Sequence, residues 1–192
     1  MTHHENLKIL AFVGLAGSGK SSVVEYLTEK GYPKIYFGGI MYNAMKSAGI
    51  QPGDWEPERK FREELRVKEG KGVIAKRAIP EIHNLVGAGQ HKIVLDGLYT
   101  WSEYRVLQHE FPGELILVAV VTPKHLRYQR MAKRPERPMQ PHEVEARDWA
   151  EIENLEKGGP IAIADYFIHN DKDMENLHHQ IEDVLTATEF LS

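Results

Sequence analysis

Cysteine is absent from the 192 residues. Disulfides, thiolate zinc sites and cysteine nucleophiles are therefore excluded. No apolar run approaches the about 18 residues of a membrane-spanning helix, and the N-terminus lacks the apolar core of a signal peptide. Positive charge is not in surplus either. Lys and Arg total 24 against 28 Asp and Glu, a formal net charge of −4, which argues against coating nucleic acid or an anionic membrane. No Asn-Lys-x-Asp guanine motif is present, so a GTPase is disfavoured. Repeats and low-complexity tracts are also missing. The expectation is one cytoplasmic domain, monomer or homodimer, with neither nucleic acid nor membrane as a partner. A larger translocating ATPase is disfavoured because little chain is left beyond one core.

What is present centres on Gly14-Leu15-Ala16-Gly17-Ser18-Gly19-Lys20-Ser21, which fits G-x-x-x-x-G-K-[ST]. Glycines let the backbone curl so that successive N–H groups face a phosphate chain. Lys20 is placed for the β- and γ-phosphates and the Ser21 hydroxyl for Mg²⁺. Gly14, Ala16, Gly17, Ser18, Gly19 and Ser22 complete the expected ATP-phosphate cradle. Leu7 to Val13 reads as a buried strand, and Ser22 to Lys30 as an amphipathic helix with Val23, Val24 and Leu27 inward. Strand, loop and helix are the context that the motif requires.

The rest of the chain alternates in the same way. Strands are expected at Lys34–Phe37, His91–Asp96, Glu114–Val121 and Asp165–Asn170. Helices are expected at about 40–48, 58–69, 72–86 (kinked at Pro80), 102–110, 142–157 and 174–186. One more follows a Thr122-Pro123 cap as far as about Arg134. Gln51 to Pro57 and Pro135 to Pro141 read as loops, and Gly158-Gly159-Pro160 as a helix stop. This pattern predicts an α/β fold with five parallel strands flanked by helices in three layers. Its core would be 5–37, 91–134 and 158–190, with a helical insertion at about 38–90 and a short lid at about 134–157. Ligands in such sheets sit at the carboxyl ends of the strands, which gathers the glycine loop, Gly38-Gly39 and Asp96 around one cleft.

Asp96 ends an apolar strand before Gly97, where an acid is needed to hold Mg²⁺ directly or through water. Arg127, Arg130, Arg134, Arg137 and Arg147 bracket the proline-rich loop, and at least two of them are expected to touch phosphate. Arg130 and Arg134 are the first choices as catalytic residues, because guanidinium forks stabilise charge spread over a migrating phosphoryl group. Arg59, Arg62 and Arg66 lie on the first inserted helix and are candidates for an acceptor's phosphate. Neighbouring glutamates offer them an ordinary surface pairing instead. Trp55, Tyr36, Tyr42 and Tyr99 are candidates to sandwich a base, although each also suits core or rim packing. His3-His4 and His178-His179 read as surface.

These residues resemble the nucleoside monophosphate kinase-like group of P-loop kinases, in particular adenylate-kinase-related and dephospho-CoA-kinase-like proteins. The resemblance is carried by Gly14-x-x-Gly17-x-Gly19-Lys20-Ser21, Asp96-Gly97, the arginine-bearing lid and Ala164-Asp165-Tyr166-Phe167-Ile168-x-Asn170. Leu65-Arg66 followed by Glu69-Gly70-x-Gly72-Val73-x-Ala75 looks like the same subgroup's middle segment. It implies ATP and Mg²⁺ as cofactors, small-molecule nucleotides as substrates, and an adenine pocket near Arg130 and Asn170–Lys172. The chain departs from adenylate kinases at Gly38-Gly39-Ile40-Met41-Tyr42, which has neither acid nor arginine. It departs again after Asp96-Gly97-Leu98, where Tyr99 and Thr100 replace the Asp-Gly-x-x-Arg pattern. The leading expectation is phosphoryl transfer from ATP to a nucleoside monophosphate, binding Gly38, Tyr42, Tyr99 and the α-helical arginines. A dephospho-CoA kinase-like enzyme needs a carboxylate base near the second strand. None lies between Lys34 and Gln51, so Asp96 would have to serve. A nucleotide-binding regulator with little kinase activity is the third reading.

Overall fold

The computed structural model describes residues 6–51 and 55–191, without the side chains of Trp55 and Glu56. His3-His4, part of the loop expected at Gln51 to Pro57, and the Trp55 ring lie outside the described residues. Five strands, β1 (Lys8–Val13), β2 (Lys34–Tyr36), β3 (Lys92–Asp96), β4 (Leu115–Val121) and β5 (Tyr166–His169), form one sheet. Its order is β2-β3-β1-β4-β5, and every pairing is parallel. The α/β reading therefore stands, with helices covering both faces.

Alternation along β1 divides the core. Ile9, Ala11 and Val13 pack towards α2 (Phe37–Ser47), α4 (Val73–Gly87) and α5 (Trp101–Glu110). Leu10 and Phe12 face α1 (Lys20–Glu29) and α9 (Met174–Ala187) on the other side. Successive side chains of a strand point to opposite faces, so a strand covered twice is apolar at every position. The helices α3 (Trp55–Glu69), α6 (Lys124–Ala132), α7 (Pro141–Glu153) and α8 (Gly158–Ala162) stand around the carboxyl edge and periphery. No helix among the described residues is long and apolar enough to cross a membrane.

The element ends hold several corrections: Phe37, expected in the second strand, opens α2, and residues 55–57, expected in a loop, open α3. The helix expected to reach Lys157 stops at Glu153, and Gly158-Gly159-Pro160 opens α8 instead of stopping a helix. Pro160 is tolerated because it stands in the first turn, where its missing N–H has no intrahelical partner. Gly159 lies on Trp101, and a Cβ there would come within 2.8 Å of the indole. Gly38 and Gly39 are inside the first turn of α2 rather than ahead of it. The Tyr36 ring occupies the space that their side chains would need. Pro123, not Thr122, is the N-cap of α6. The Thr122 hydroxyl turns instead to the carbonyls of Ser18 and Asn170, at 2.9 and 3.0 Å. That helix ends at Ala132, short of Arg134, with the backbone N–H of its C-cap Lys133 donating to the Gln129 and Arg130 carbonyls.

Candidate functional site

The glycine loop joins the end of β1 to the start of α1. Gly17 and Gly19 have φ of 79° and 90°, a left-handed conformation that glycine alone adopts without strain. The surroundings are equally restrictive. A Cβ on Gly14 would meet Ser18 Oγ and the Val120 carbonyl, both at 2.6 Å, and one on Gly17 would meet the Arg127 carbonyl at 2.8 Å. At Gly19 it would strike the Asn170 amide. That amide donates to the Ser18 carbonyl at 2.9 Å, tying the loop to the end of β5. The N-terminus of α1 has no side-chain cap and no acid in its first turn. Its N–H groups and the positive end of its dipole thus face the loop. Ser21 is exposed beside it, and Ser22 and the Ala16 backbone flank it. Ser18 is buried, and its hydroxyl has no hydrogen-bond partner among the described residues.

Lys20 donates to Asp96 Oδ1 across the cleft. Register explains the meeting: Asp96 is the last residue of β3, opposite Phe12 of β1 and Tyr36 of β2. Both charges are largely withdrawn from solvent. The Ser21 hydroxyl and the Asp96 carboxylate are hard oxygen donors of the kind Mg²⁺ takes. No group of three or more His, Asp or Glu side chains able to hold a metal occurs among the described residues.

A tyrosine cluster adjoins the acid. Burial is the first cause that raises the Tyr36 phenol's pKa, with Tyr99, Tyr42 and Asp96 adding to it and Lys20 opposing. Tyr99 is pushed up to about 12, by burial first and then by Asp96 and Glu151, against Arg147 and Arg62. Its ring covers Gly97, whose φ is 96°. Tyr42 is half-buried, and Gly38 lies against the Tyr36 ring. The structure thus brings Lys20, Asp96, Tyr36, Tyr42, Tyr99 and Gly38 to one end of the sheet.

The arginines part company. Arg59 meets Glu63 at 2.9 Å and Arg62 meets Glu58 at 2.6 Å, each one helical turn away. Glu58 is buried and lies 3.6 Å from Arg137, which joins the lid loop to α3. Arg66 points inward, with its guanidinium 3.5 Å from Glu103 and donating to the Arg62 carbonyl. Burial raises the Glu103 carboxyl, and Arg66 pulls it back down together with the Tyr99 and Thr100 N–H groups. Arg127 is buried on Asp148 of α7 and on the Ala16 carbonyl. Arg130 donates to the Asn170 carbonyl at 3.0 Å, beside the glycine loop. Arg134 is exposed, and its guanidinium donates to the Met131 sulfur at 3.7 Å. Arg147 donates to Glu151 at 3.0 Å.

Lys157 joins this cluster without a signal in the sequence. Its ammonium is buried, bonds to Glu151 at 2.8 Å and lies 4.8 Å from the centre of the Tyr99 ring. A lysine before Gly-Gly-Pro carries no motif, so nothing local signals this role. Asp148, the partner of Arg127, likewise carries no motif.

Comparison with known proteins agrees with the motif and the sheet. The family described as AAA domain matches residues 10–151. A UPF0200 protein of Thermococcus onnurineus (strain NA1) is 31% identical over 180 residues, covering 92% of this chain and 96% of its own. Among solved structures, a shikimate kinase from Bacteroides thetaiotaomicron superposes with a TM-score of 0.59 at 12% identity, over 95% of this chain and 98% of that one. A dephospho-CoA kinase from Campylobacter jejuni gives 0.55 at 16% identity, over 94% and 96%. The fold is the P-loop kinase fold that the motifs resemble.

Proposed function

We propose that this chain, which belongs to the AAA domain family and to the UPF0200 proteins, transfers the γ-phosphoryl group of Mg²⁺-bound ATP to a small phosphate-bearing acceptor, a nucleoside monophosphate in the simplest case. The ion pair between Lys20 and Asp96 carries the reading. It stores a cation for the phosphate chain and an anion for Mg²⁺ at the open end of one glycine loop. With ATP bound, Lys20 would exchange Asp96 for the β- and γ-phosphate oxygens, which would leave the Asp96 carboxylate free to help hold Mg²⁺. Bound Mg²⁺ would supply charge neutralisation between the phosphates, held by Ser21 and, through water, by Asp96.

An acceptor phosphate oxygen then attacks the γ-phosphorus, the bond to the β–γ bridging oxygen breaks, and ADP leaves. No general base is needed, because the nucleophile is already anionic. The helical insertion at about 38–90 would bind the acceptor. Tyr36, Tyr42 and Tyr99 would flank its base, while Arg59 and Arg62 exchange their glutamates for its phosphate. Arg66 would act from behind, by holding Glu103 and the Tyr99–Thr100 turn. The lid at about 134–157 would bring Arg134 to the migrating group, and Arg130 would serve the nucleotide beside Asn170.

One observation favours a second acceptor. Arg59, Arg62 and Arg66 each already hold a carboxylate, which suits a hydroxyl acceptor whose proton passes to Asp96 as the new phosphorus–oxygen bond forms. The two readings separate in an assay of ADP formation with nucleoside monophosphates, deoxynucleoside monophosphates and dephospho-CoA. Stimulation by a monophosphate supports the first, and stimulation by dephospho-CoA alone supports the second. Binding of ATP with transfer to none supports a regulator instead.

A further inference from the structure

Lys157 and Arg147 share one carboxylate. Glu151 Oε2 accepts from the Lys157 ammonium at 2.8 Å, and Glu151 Oε1 accepts from Arg147 Nε at 3.0 Å. All three side chains belong to the segment that carries the lid. Lys157 and Glu151 are buried, so two cations facing one anion leave a net positive charge under the lid. A buried ammonium costs folding free energy, and a single shared carboxylate repays it poorly. The surplus charge therefore serves something other than packing.

Its location says what. The ammonium rests on the face of Tyr99, the ring that covers Gly97 directly after Asp96. The Tyr99 N–H is fixed in turn by Glu103 at 2.8 Å. From the lid side, the backbone N–H of Lys157 closes onto the Glu151 carbonyl at 3.1 Å. Lys157 is thus a buried cation that bridges the lid helix and the loop of the acid. Burial is the first cause that lowers its pKa; Glu151 opposes this, and both Arg147 and Lys20 push it further down. The phosphate-loop lysine is within its electrostatic reach.

We propose that Lys157 is a positioning residue for phosphoryl transfer, holding Glu151 so that Arg147 and the Asp96–Tyr99 loop face the transferred group as one body. The proposal rests on the phosphoryl-transfer reading above. An anion arriving at Arg147 would draw its guanidinium from Glu151, and Lys157 keeps that carboxylate from following.

The test is a double-mutant cycle on the full chain with the best acceptor from the assay above. The variants are Lys157→Met, Arg147→Ala and both together, with kcat, KM for ATP and the thermal midpoint followed in each. Lys157→Met is expected to lower kcat about 100-fold, the size of effect that a misplacement of about 1 Å produces. KM for ATP should stay within about twofold, because ground-state binding is untouched. The double variant should fall no further than Arg147→Ala alone. Losses that multiply, or an unchanged kcat in Lys157→Met, would overturn the proposal while leaving the kinase reading standing. Should Lys157→Met fail to fold, Glu151→Gln keeps the shape and removes the shared charge. The same loss of kcat is expected there, and an unchanged kcat overturns the proposal. A wild-type protein that transfers phosphate to no acceptor overturns the kinase reading itself, and this proposal with it.

Discussion

Arg127 closes on Asp148 with both terminal nitrogens, at 2.8 and 2.7 Å, and the same Nη1 reaches the Ala16 carbonyl at 3.0 Å. This buried fork locks α7 to α6 and to the glycine loop. A guanidinium committed in this way fastens α7 to the loop. Any movement of α7 away from the glycine loop would have to break it.

Replacing Asp148 with Ala should therefore destabilise the protein by about 3–5 kcal/mol, the cost of leaving one buried charge without its partner. Denaturant unfolding of the variant measures it. Replacing both residues with apolar ones of similar volume should recover most of the loss. A single variant as stable as the parent would show that the fork is solvated.

Lys20→Ala should remove ATP turnover, by at least about 100-fold, and leave the far-ultraviolet circular dichroism unchanged. The lysine stands at the helix start, and among the described residues its ammonium pairs with Asp96. Normal turnover in this variant would remove the glycine loop from the chemistry.

Arg134→Ala should lower turnover more than it weakens ATP binding. The side chain is exposed and holds no carboxylate among the described residues. It is thus available to a charge that develops only in the transition state. Equal losses in kcat and in nucleotide affinity would assign it to ground-state binding.

The acid limb of stability should depend on Glu151. Burial raises its pKa, but Lys157 and Arg147 outweigh burial and hold it below the ordinary 4.5. A depressed folded value contributes stability that is present above 4.5 and lost as pH falls through the folded value. Glu103 runs the other way: burial lifts it, so it takes stability away as pH rises above 4.5. Comparing thermal midpoints of the wild type and Glu151→Gln across about pH 3 to 5 isolates the first effect. The gap should narrow towards the acid end, and a constant gap would contradict the shared pairing.

Much of this was legible in the chain because it is local. The run Leu7 to Val13, the glycine pattern and the following apolar positions place one strand, one loop and one helix within thirty or so residues. Asp96 was legible because an apolar strand ending in an acid is itself a pattern. The destinations of the arginines were not. Arg127 and Arg130 share a helix and a spacing, yet one is buried on Asp148 and the other reaches Asn170. Arg66 was a candidate for an acceptor and lies against Glu103 of another helix. Such pairings are set by how helices stack, which no spacing within one helix encodes. The break between α7 and α8 is of the same kind, since it accommodates Lys157 beneath Glu151 and Gly159 against Trp101.

The most direct measurement is the fate of the γ-phosphate. ATP labelled at that position should be incubated with Mg²⁺, the wild type or Lys20→Ala, and each acceptor in turn. The label is expected to appear in one acceptor's product well above its release to water, and to stay in ATP with the variant. Label found only as inorganic phosphate, or transferred equally by Lys20→Ala, would contradict phosphoryl transfer at the Gly14–Ser21 loop.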